Sequence, residues 1–196
     1  MSEPAHPRVG VLAIQGDYAA HARALTDVGA LPVEIRNPAE LAAVEALILP
    51  GGESTTMLNF LEGHGFFQAL KEFCAAWPVF GTCAGAILLA REVLNPPQRS
   101  LGLLDATLER NAYGRQIDSA ILTAETSLPG GPLEMVFIRA PRIVSTGPAV
   151  EILAQRDGFP TLVRQGRILA ATFHPELSPD RRVHKLFVDS LSARPT

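Results

Sequence analysis

The residue types best suited to chemistry cluster around Cys83, in the segment Gly81-Thr82-Cys83-Ala84-Gly85. An apolar run precedes this segment and an Ala/Leu-rich run follows it, which predicts a strand, a sharp turn and a helix. That layout is typical of a nucleophile elbow, with cysteine in place of serine. The flanking glycines permit a strained backbone, and the helix N-terminus favours thiolate over thiol. Cys83 is therefore a candidate nucleophile, with a small buried structural cysteine as the alternative.

A candidate base for this thiol is His174, in the segment Thr172-Phe173-His174-Pro175-Glu176. A strand is predicted at Ile168–Thr172, and side chains two residues apart in an extended segment point to the same side. Glu176 is thus expected beside the imidazole, where it would fix the ring tautomer and leave the other nitrogen free to take the thiol proton. A strand-end histidine next to a solvated glutamate is the alternative. The remaining histidines lack this combination and are expected to be structural or exposed, with the role of His21 left open because it closely follows the first strand end: His6, His21, His64 and His184.

A glycine-rich loop, Pro50-Gly51-Gly52-Glu53-Ser54, follows a predicted strand at Ala46–Leu49. Paired glycines let backbone N–H groups turn towards a ligand. We predict an oxyanion hole with one donor from this loop, for which Gly52 is the candidate, and the other from the N–H of Ala84. Ser54 or Thr55 is expected to cap the following helix. An ordinary strand-to-helix turn is the alternative, and no Gly-Lys-Ser/Thr step follows that would make the loop a Walker motif.

Two arginines are candidates for holding a substrate carboxylate. Arg110 lies in a segment too polar to be core, and Arg139 follows the apolar run Met135–Ile138. A guanidinium can bind a carboxylate through two parallel hydrogen bonds. Solvated surface arginines are the more common alternative for both.

The elements that must position these residues alternate between strand and helix. Strands are predicted at Arg8–Ile14, Leu31–Ile35 and Ala46–Leu49, with a helix after Asp17 and a short helix after Pro38. This rhythm predicts an α/β fold, a three-layer doubly wound and mostly parallel sheet with helices on both faces. Ligands gather outside the carboxyl ends of such strands, which brings three predicted strand ends to one edge: Gln15-Gly16, Pro50–Ser54 and Gly81–Cys83.

Later segments complete the predicted architecture. Alternating runs between Leu101 and Arg142, such as Ser119–Thr126 and Met135–Ile138, are expected to be antiparallel or edge strands added to the parallel sheet. Further strands are predicted in the last third of the chain, followed by a helix from about Asp180 to Ser192.

Composition limits the possible function classes. The 196 residues predict a single domain over 1–196, and 47% apolar with 19% charged residues is ordinary for a globular protein. A net charge of −3 without a basic cluster argues against a nucleic-acid partner. No apolar run approaches the ~20 residues of a membrane span, so we expect no membrane partner and a cytoplasmic location. The two cysteines, Cys74 and Cys83, form no disulfide framework or metal-ligand spacing, so no metal or cofactor is predicted and Cys74 is expected in the core.

Combined, the cysteine elbow, the Gly-Gly loop and the His-Pro-Glu step resemble the class I, triad-type glutamine amidotransferases. Within that group the chain is similar to the glutaminase subunits of pyridoxal 5′-phosphate synthase. The features most specific to that subfamily are Leu49–Thr56 and Arg110-Asn111 with Gly114-Arg115-Gln116. Ile87 stands where other class I glutaminases often carry Gln, which argues against imidazole glycerol phosphate, carbamoyl phosphate or GMP synthase relatives. The matching segments cover nearly the whole chain: Gly10–Gly16, Leu47–Met57, Phe80–Leu89, Gly102–Asp105, Glu109–Ser119, Phe137–Pro141 and Phe173–Leu177.

The resemblance implies a flavodoxin-like fold and the hydrolysis of L-glutamine to L-glutamate and ammonia through a Cys83–His174–Glu176 triad and a glutamyl thioester. It implies ammonia delivery to a separate synthase subunit for pyridoxal 5′-phosphate (vitamin B6) biosynthesis. It also implies a set of glutamine-binding residues: Gly51, Gly52, Glu53, Arg110, Ile138 and Arg139. The alternatives are the glutaminase subunit of another amidotransferase, a DJ-1-like cysteine hydrolase or peptidase, and a non-catalytic partner protein, the last disfavoured because all three triad residues are present.

Overall fold

A computed structural model describes residues 6–112 and 119–192. Its strands, in chain order, are β1 Arg8–Leu12, β2 Leu31–Ile35, β3 Ala46–Leu49, β4 Val79–Thr82, β5 Ala90–Leu94, β6 Leu104–Glu109, β7 Ser119–Ala124, β8 Leu133–Ile138, β9 Arg142–Thr146, β10 Glu151–Arg156, β11 Phe159–Gln165 and β12 Ile168–Ala171. Its α-helices are α1 Tyr18–Asp27, α2 Ser54–Gly63, α3 Phe66–Ala76, α4 Ala84–Leu89 and α5 Arg182–Ser192. Two 3₁₀ helices lie at Pro38–Ala43 and Pro175–Leu177.

A seven-stranded sheet in the order β10-β11-β12-β4-β3-β1-β2 forms the centre of the molecule. Its five strands from β12 to β2 are parallel, whereas β11 runs antiparallel to both β12 and β10. Leu49 is paired with Gly81, and Ala171 with Thr82. The segments that follow β3, β4 and β12 therefore leave the sheet at the same edge.

The two faces of this sheet are covered by two separate hydrophobic clusters. One contains side chains of α2, α3 and α4, among them Leu61, Leu70 and Leu88. The other contains side chains of α1 and α5, among them Leu25 and Phe187. Helices thus cover both faces, which confirms the predicted three-layer doubly wound fold.

The strands added between Leu101 and Arg142 were expected in the central sheet, and this placement is wrong. Strands β7 and β8 form a two-stranded antiparallel ribbon, and β6 and β9 join β5 in a three-stranded sheet. The antiparallel edge of the central sheet comes instead from β10 and β11. Alternation of apolar residues identifies a strand, but packing elsewhere in the chain decides which strand it pairs with.

Candidate active site

The turn between β4 and α4 has the strained geometry expected of a nucleophile elbow. Cys83 is the N-cap residue of α4, with φ 48° and ψ −103°. Its N–H donates to the carbonyl of Ala171 at 2.8 Å, which ties the elbow to the end of β12. A Cβ atom at Gly85 would collide with the carbonyl oxygen of Leu49, so only glycine lets α4 pack this closely on β3. The local structure therefore holds the Cys83 side chain at the carboxyl edge of the sheet.

His174 and Glu176 lie side by side at this edge. His174 Nδ1 and Glu176 Oε1 are 2.7 Å apart, and both residues are 4% exposed. The expected extended segment is absent here, because β12 ends at Ala171 and His174 is instead the N-cap of the 3₁₀ helix at Pro175–Leu177. Proline at the first helical position favours that turn. The sequence thus predicted the pairing correctly, but for the wrong backbone conformation.

The electrostatics of His174 are dominated by its two acidic neighbours. Burial alone lowers the pKa of His174, but the hydrogen bonds and charges of Cys83 and Glu176 outweigh burial and raise that pKa to about 10. A histidine with this environment carries a proton beside the sulfur at neutral pH. The pair is therefore suited to an imidazolium–thiolate chemistry.

The glycine-rich loop lies directly on the histidine ring. A Cβ atom on Gly51 would collide with Cε1 of His174, and one on Gly16 would collide with the carbonyl oxygen of Gly51. Gly52 has a φ of 143°, a backbone conformation that residues other than glycine rarely adopt. The side chain of Gln15 donates from Nε2 to the carbonyl of Glu53 at 2.6 Å. The structure thus brings together all three strand ends that the sequence pointed to, after β1, β3 and β4.

Another side of this site is formed by the end of β8. The backbone N–H of His174 donates to the carbonyl of Val136 at 2.8 Å, and the carbonyl oxygen of Ile138 lies 4.0 Å from the sulfur of Cys83. The next residue, Arg139, is exposed and has a φ of 43°. Cys83 and Arg139, the residue after Ile138, both have a positive φ, and strained backbone of this kind is common at functional sites.

Glu53 and Arg110 form an ion pair over the glycine-rich loop. Arg110 donates to Thr55 Oγ1 at 2.9 Å and lies 3.3 Å from Glu53 Oε1. Glu53 also accepts the backbone N–H groups of Thr55 and Thr56, so it caps α2. Burial raises the pKa of Glu53, but the hydrogen bonds from Thr56 and Thr55 outweigh it and lower that pKa to about 2. The expectation that Ser54 or Thr55 caps this helix is therefore wrong; Ser54 instead donates to the side chain of Gln98.

Two buried histidines behind the site were not predicted to belong to it. His21 and His184 are both fully buried, and Nε2 of His21 lies 3.3 Å from Glu176 Oε2. A signal for His21 was available in the sequence, since it lies on the apolar stripe of α1 beside Ala20 and Ala24. A histidine on such a stripe is buried and therefore needs polar partners.

Three side chains of the site are close enough together to hold a metal ion, but two of them already bind each other. Asp17, His174 and Glu176 offer ligand atoms that all lie within 4.8 Å of one another, a cluster found within residues 6–112 and 119–192. His174 Nδ1 is already bonded to Glu176 Oε1, which competes with coordination. We therefore assign no metal role to the cluster. Arg115 and Gln116, which carry part of the sequence resemblance, lie outside the described residues.

Comparison with solved structures defines the class of this fold. The chain is similar to a crystal structure of a glutamine amidotransferase, with a TM-score of 0.88 and 42% identity over 94% of this chain and 99% of the other. A glutamine amidotransferase from Thermotoga maritima shares the fold at a TM-score of 0.60 and 16% identity, over 96% and 85% of the two chains. The fold is thus that of the class I glutamine amidotransferases.

Sequence comparison then places the chain within that class. Residues 11–193 match the SNO glutamine amidotransferase family, and the chain belongs to it. It is 59% identical over 181 residues to the pyridoxal 5′-phosphate synthase subunit PdxT of Koribacter versatilis, covering 92% of this chain and 94% of that protein. It is 49% identical over 184 residues to the protein of the same name from Thermotoga neapolitana, covering 93% and 98%. In the described part of the chain, no helix is both long and apolar enough to span a membrane.

Proposed function

We propose that this chain is the glutaminase subunit of a pyridoxal 5′-phosphate synthase. It hydrolyses L-glutamine to L-glutamate and ammonia and passes the ammonia to the synthase subunit. The observation that carries this proposal is the buried His174–Glu176 pair, which lies under the Gly51-Gly52 loop at the sheet edge that also holds Cys83. Membership of the SNO family and the PdxT relatives support the reaction and the partner. Residues 1–196 act as a single glutaminase domain in the cytoplasm.

The proposed reaction begins at the sulfur of Cys83. The thiolate attacks the carboxamide carbon of glutamine, and the C–S bond forms as the carbonyl π electrons move onto oxygen. Backbone N–H groups of Gly52 and Ala84 stabilise this oxyanion. Ala84 is the first residue of α4, so its N–H has no acceptor within the helix.

His174 completes both halves of the reaction. Its imidazolium gives a proton to the leaving nitrogen as the C–N bond breaks, which releases ammonia and leaves a glutamyl thioester. The neutral imidazole then takes a proton from water, whose oxygen attacks the thioester and releases glutamate and the thiolate. Glu176 orients the ring through Nδ1.

Substrate recognition is proposed for the groups that surround the sulfur. The side chain of Arg110 is 15% exposed and fixed over the loop, where it can bind the α-carboxylate of glutamine. The carboxylate of Glu53 can attract the α-ammonium group. The backbone of Gly51, Gly52, Ile138 and Arg139 shapes the remaining walls of the site.

The first test removes the nucleophile. Replacement Cys83→Ala should abolish glutamate release in the presence of the synthase subunit while the melting temperature stays close to that of the unaltered chain. A diazo-ketone analogue of glutamine should label Cys83 and spare Cys74, because burial raises the pKa of the Cys74 thiol to about 12. Labelling of Cys74 with Cys83 intact would contradict the proposal.

A further inference from the structure

A chain of buried polar side chains extends from the proposed triad into the space between α1 and α5. Nε2 of His21 lies 3.1 Å from Thr82 Oγ1 and 3.3 Å from Glu176 Oε2. On the other side of the ring, Nδ1 of His21 lies 3.0 Å from Nε2 of His184. The two histidines are 163 residues apart in sequence and are both 0% exposed. Glu176 therefore has a histidine on each side, His174 at one carboxylate oxygen and His21 at the other.

The positions of the protons on His21 and His184 follow from the carboxylate of Glu176 at one end of this row of side chains. Nε2 of His21 lies 3.3 Å from a carboxylate oxygen of Glu176, and a bare ring nitrogen at that distance would set two lone pairs against each other, so we assign the proton of His21 to Nε2. Nδ1 of His21 is then bare and accepts the Nε2–H of His184. Nδ1 of His184 consequently carries no proton and has no hydrogen-bond partner among the described residues.

Glu176 depends on this arrangement. Its Oε1 atom is engaged by His174, while Oε2 is buried and has no partner with good hydrogen-bond geometry in the described residues. Nε2 of His21 lies 3.3 Å from Oε2 and is the polar hydrogen-bearing atom placed to serve it. Nε2 of His21 forms its hydrogen bond with Thr82 Oγ1 at 3.1 Å, and a small rotation of the ring would direct the same N–H to Glu176 Oε2 at 3.3 Å. A buried carboxylate without a second donor would protonate more readily and rotate away from the ring it orients.

The charged groups around the two histidines keep both neutral. His21 faces Glu176, His174 and His184, and burial followed by the repulsion of His184 and His174 lowers the pKa of His21 well below 6.5. His184 faces Arg181 and Asp27, and burial with the repulsion of Arg181 lowers its pKa to about 3 against the opposite effect of Asp27. His21 and His184 therefore offer Glu176 an N–H donor without adding a positive charge.

We propose that His21 is a positioning residue for the reaction, which holds the carboxylate of Glu176 in place through its Nε2–H, and that His184 fixes the tautomer of His21. The inference rests on the proposed glutaminase function. In this role His21 acts on the reaction through Glu176.

Kinetic variants separate this role from simple packing. His21→Leu fills the space but removes the donor, so kcat for glutamate release with the synthase subunit should fall about tenfold with little change in KM. The acid limb of the pH–kcat profile should also move to higher pH, because a buried carboxylate that has lost a hydrogen-bond donor takes up a proton at higher pH. His21→Gln places an amide N–H near the position of Nε2 and should restore kcat and the acid limb at least in part.

A matched control alters packing at the same junction without touching Glu176. Phe187 lies on α5 with its ring centroid 5.6 Å from that of Phe80, which also contacts His21. Phe187→Leu should lower the melting temperature but leave the acid limb unmoved. An unchanged acid limb in His21→Leu, or a His21→Gln variant that behaves like His21→Leu, would overturn the proposal.

A measurement on the unaltered chain does not depend on catalysis or on variants that fold. Nitrogen-15 NMR of the imidazole groups near neutral pH should show His21 protonated at Nε2 and bare at Nδ1, with His184 also protonated at Nε2. The opposite tautomer of His21 would overturn the positioning role. If the tautomers agree but the chain with its synthase releases no glutamate, the proposed function fails and the arrangement of His21 and His184 stands.

Discussion

Cys83, His174 and Glu176 are three buried side chains that folding brings to one edge of the sheet. The positive φ of Cys83 and the 2.7 Å contact between His174 and Glu176 fix the three side chains before any substrate arrives. The raised pKa of His174 shows how strongly its charged form depends on its partners. Folding therefore positions the groups of the proposed reaction, and the raised pKa of His174 should make the stability of the fold depend on pH.

This dependence of stability on pH has a defined direction. A folded-state pKa near 10, against 6.5 in the unfolded chain, means that His174 stabilises the fold fully below about pH 6.5 and loses this contribution as pH rises towards 10. The free energy of unfolding of the unaltered chain should therefore exceed that of His174→Gln by a margin that shrinks between these two pH values. Denaturant titrations at several pH values measure it. In a Cys83→Ala background the margin should vary less, and a margin that grew with pH would contradict the assignment.

Arg110 offers a test of substrate recognition at a single residue. A charge-assisted bidentate hydrogen bond contributes about 1.5–3 kcal/mol, so Arg110→Ala should weaken glutamine binding roughly ten- to a hundredfold. Calorimetric titration of glutamine into the Cys83→Ala variant measures binding without turnover. Arg99→Ala is the matched control, since Arg99 pairs with Glu62 on the outside of the molecule. Normal binding after both Arg110→Ala and Arg139→Ala would show that these arginines do not hold the substrate.

At the scale of elements, the site is a junction of loops that follow parallel strands. The sequence predicted β2 and β3 with their observed bounds, because each is a compact run between turn residues. It also predicted that the loops after β1, β3 and β4 would meet, since parallel strands end at one edge. It could not predict the pairing of β5, β6 and β9 or the contact of His21 with Glu176, because both depend on packing between distant segments. The 3₁₀ turn at His174 was missed for a local reason, as an extended and a tightly turned segment can place residues i and i+2 together.

The contact between Gly51 and His174 makes a prediction about this junction. Gly51→Ala would drive a methyl group into the imidazole, which must move, so glutamate release should fall on the order of a hundredfold. The same substitution at Gly63, at the exposed end of α2, meets nothing within 4 Å and should stabilise the chain by roughly 0.5–1 kcal/mol without loss of activity. Assays of both variants with the synthase subunit check the pair. Full activity in Gly51→Ala would mean that the loop is displaced from the ring in the working enzyme.

For the whole molecule, the proposed product of value is ammonia, yet the chain is proposed to hand it to another protein. We therefore expect the isolated chain to be a poor glutaminase that becomes active when the synthase subunit binds. The Gly51-Gly52 peptide can reorient at low steric cost, and a few kcal/mol of differential binding is enough to shift it to an aligned donor. Glutamate release should be measured for the chain alone and after addition of the synthase subunit, with Cys83→Ala as the blank. Equal rates would leave a constitutive glutaminase.

The order in which the sheet is assembled has a consequence for the cell. Strand β12, which lies between β11 and β4, is contributed by the last part of the chain, and His174 follows it. During synthesis the Cys83 elbow therefore emerges from the ribosome long before His174, and a nascent chain lacks the proposed base of the sulfur. Such long-range closure is slow compared with local folding. The proposed activity towards glutamine therefore requires a part of the chain that is synthesised well after the cysteine, and it arises only once β12 has paired with β4.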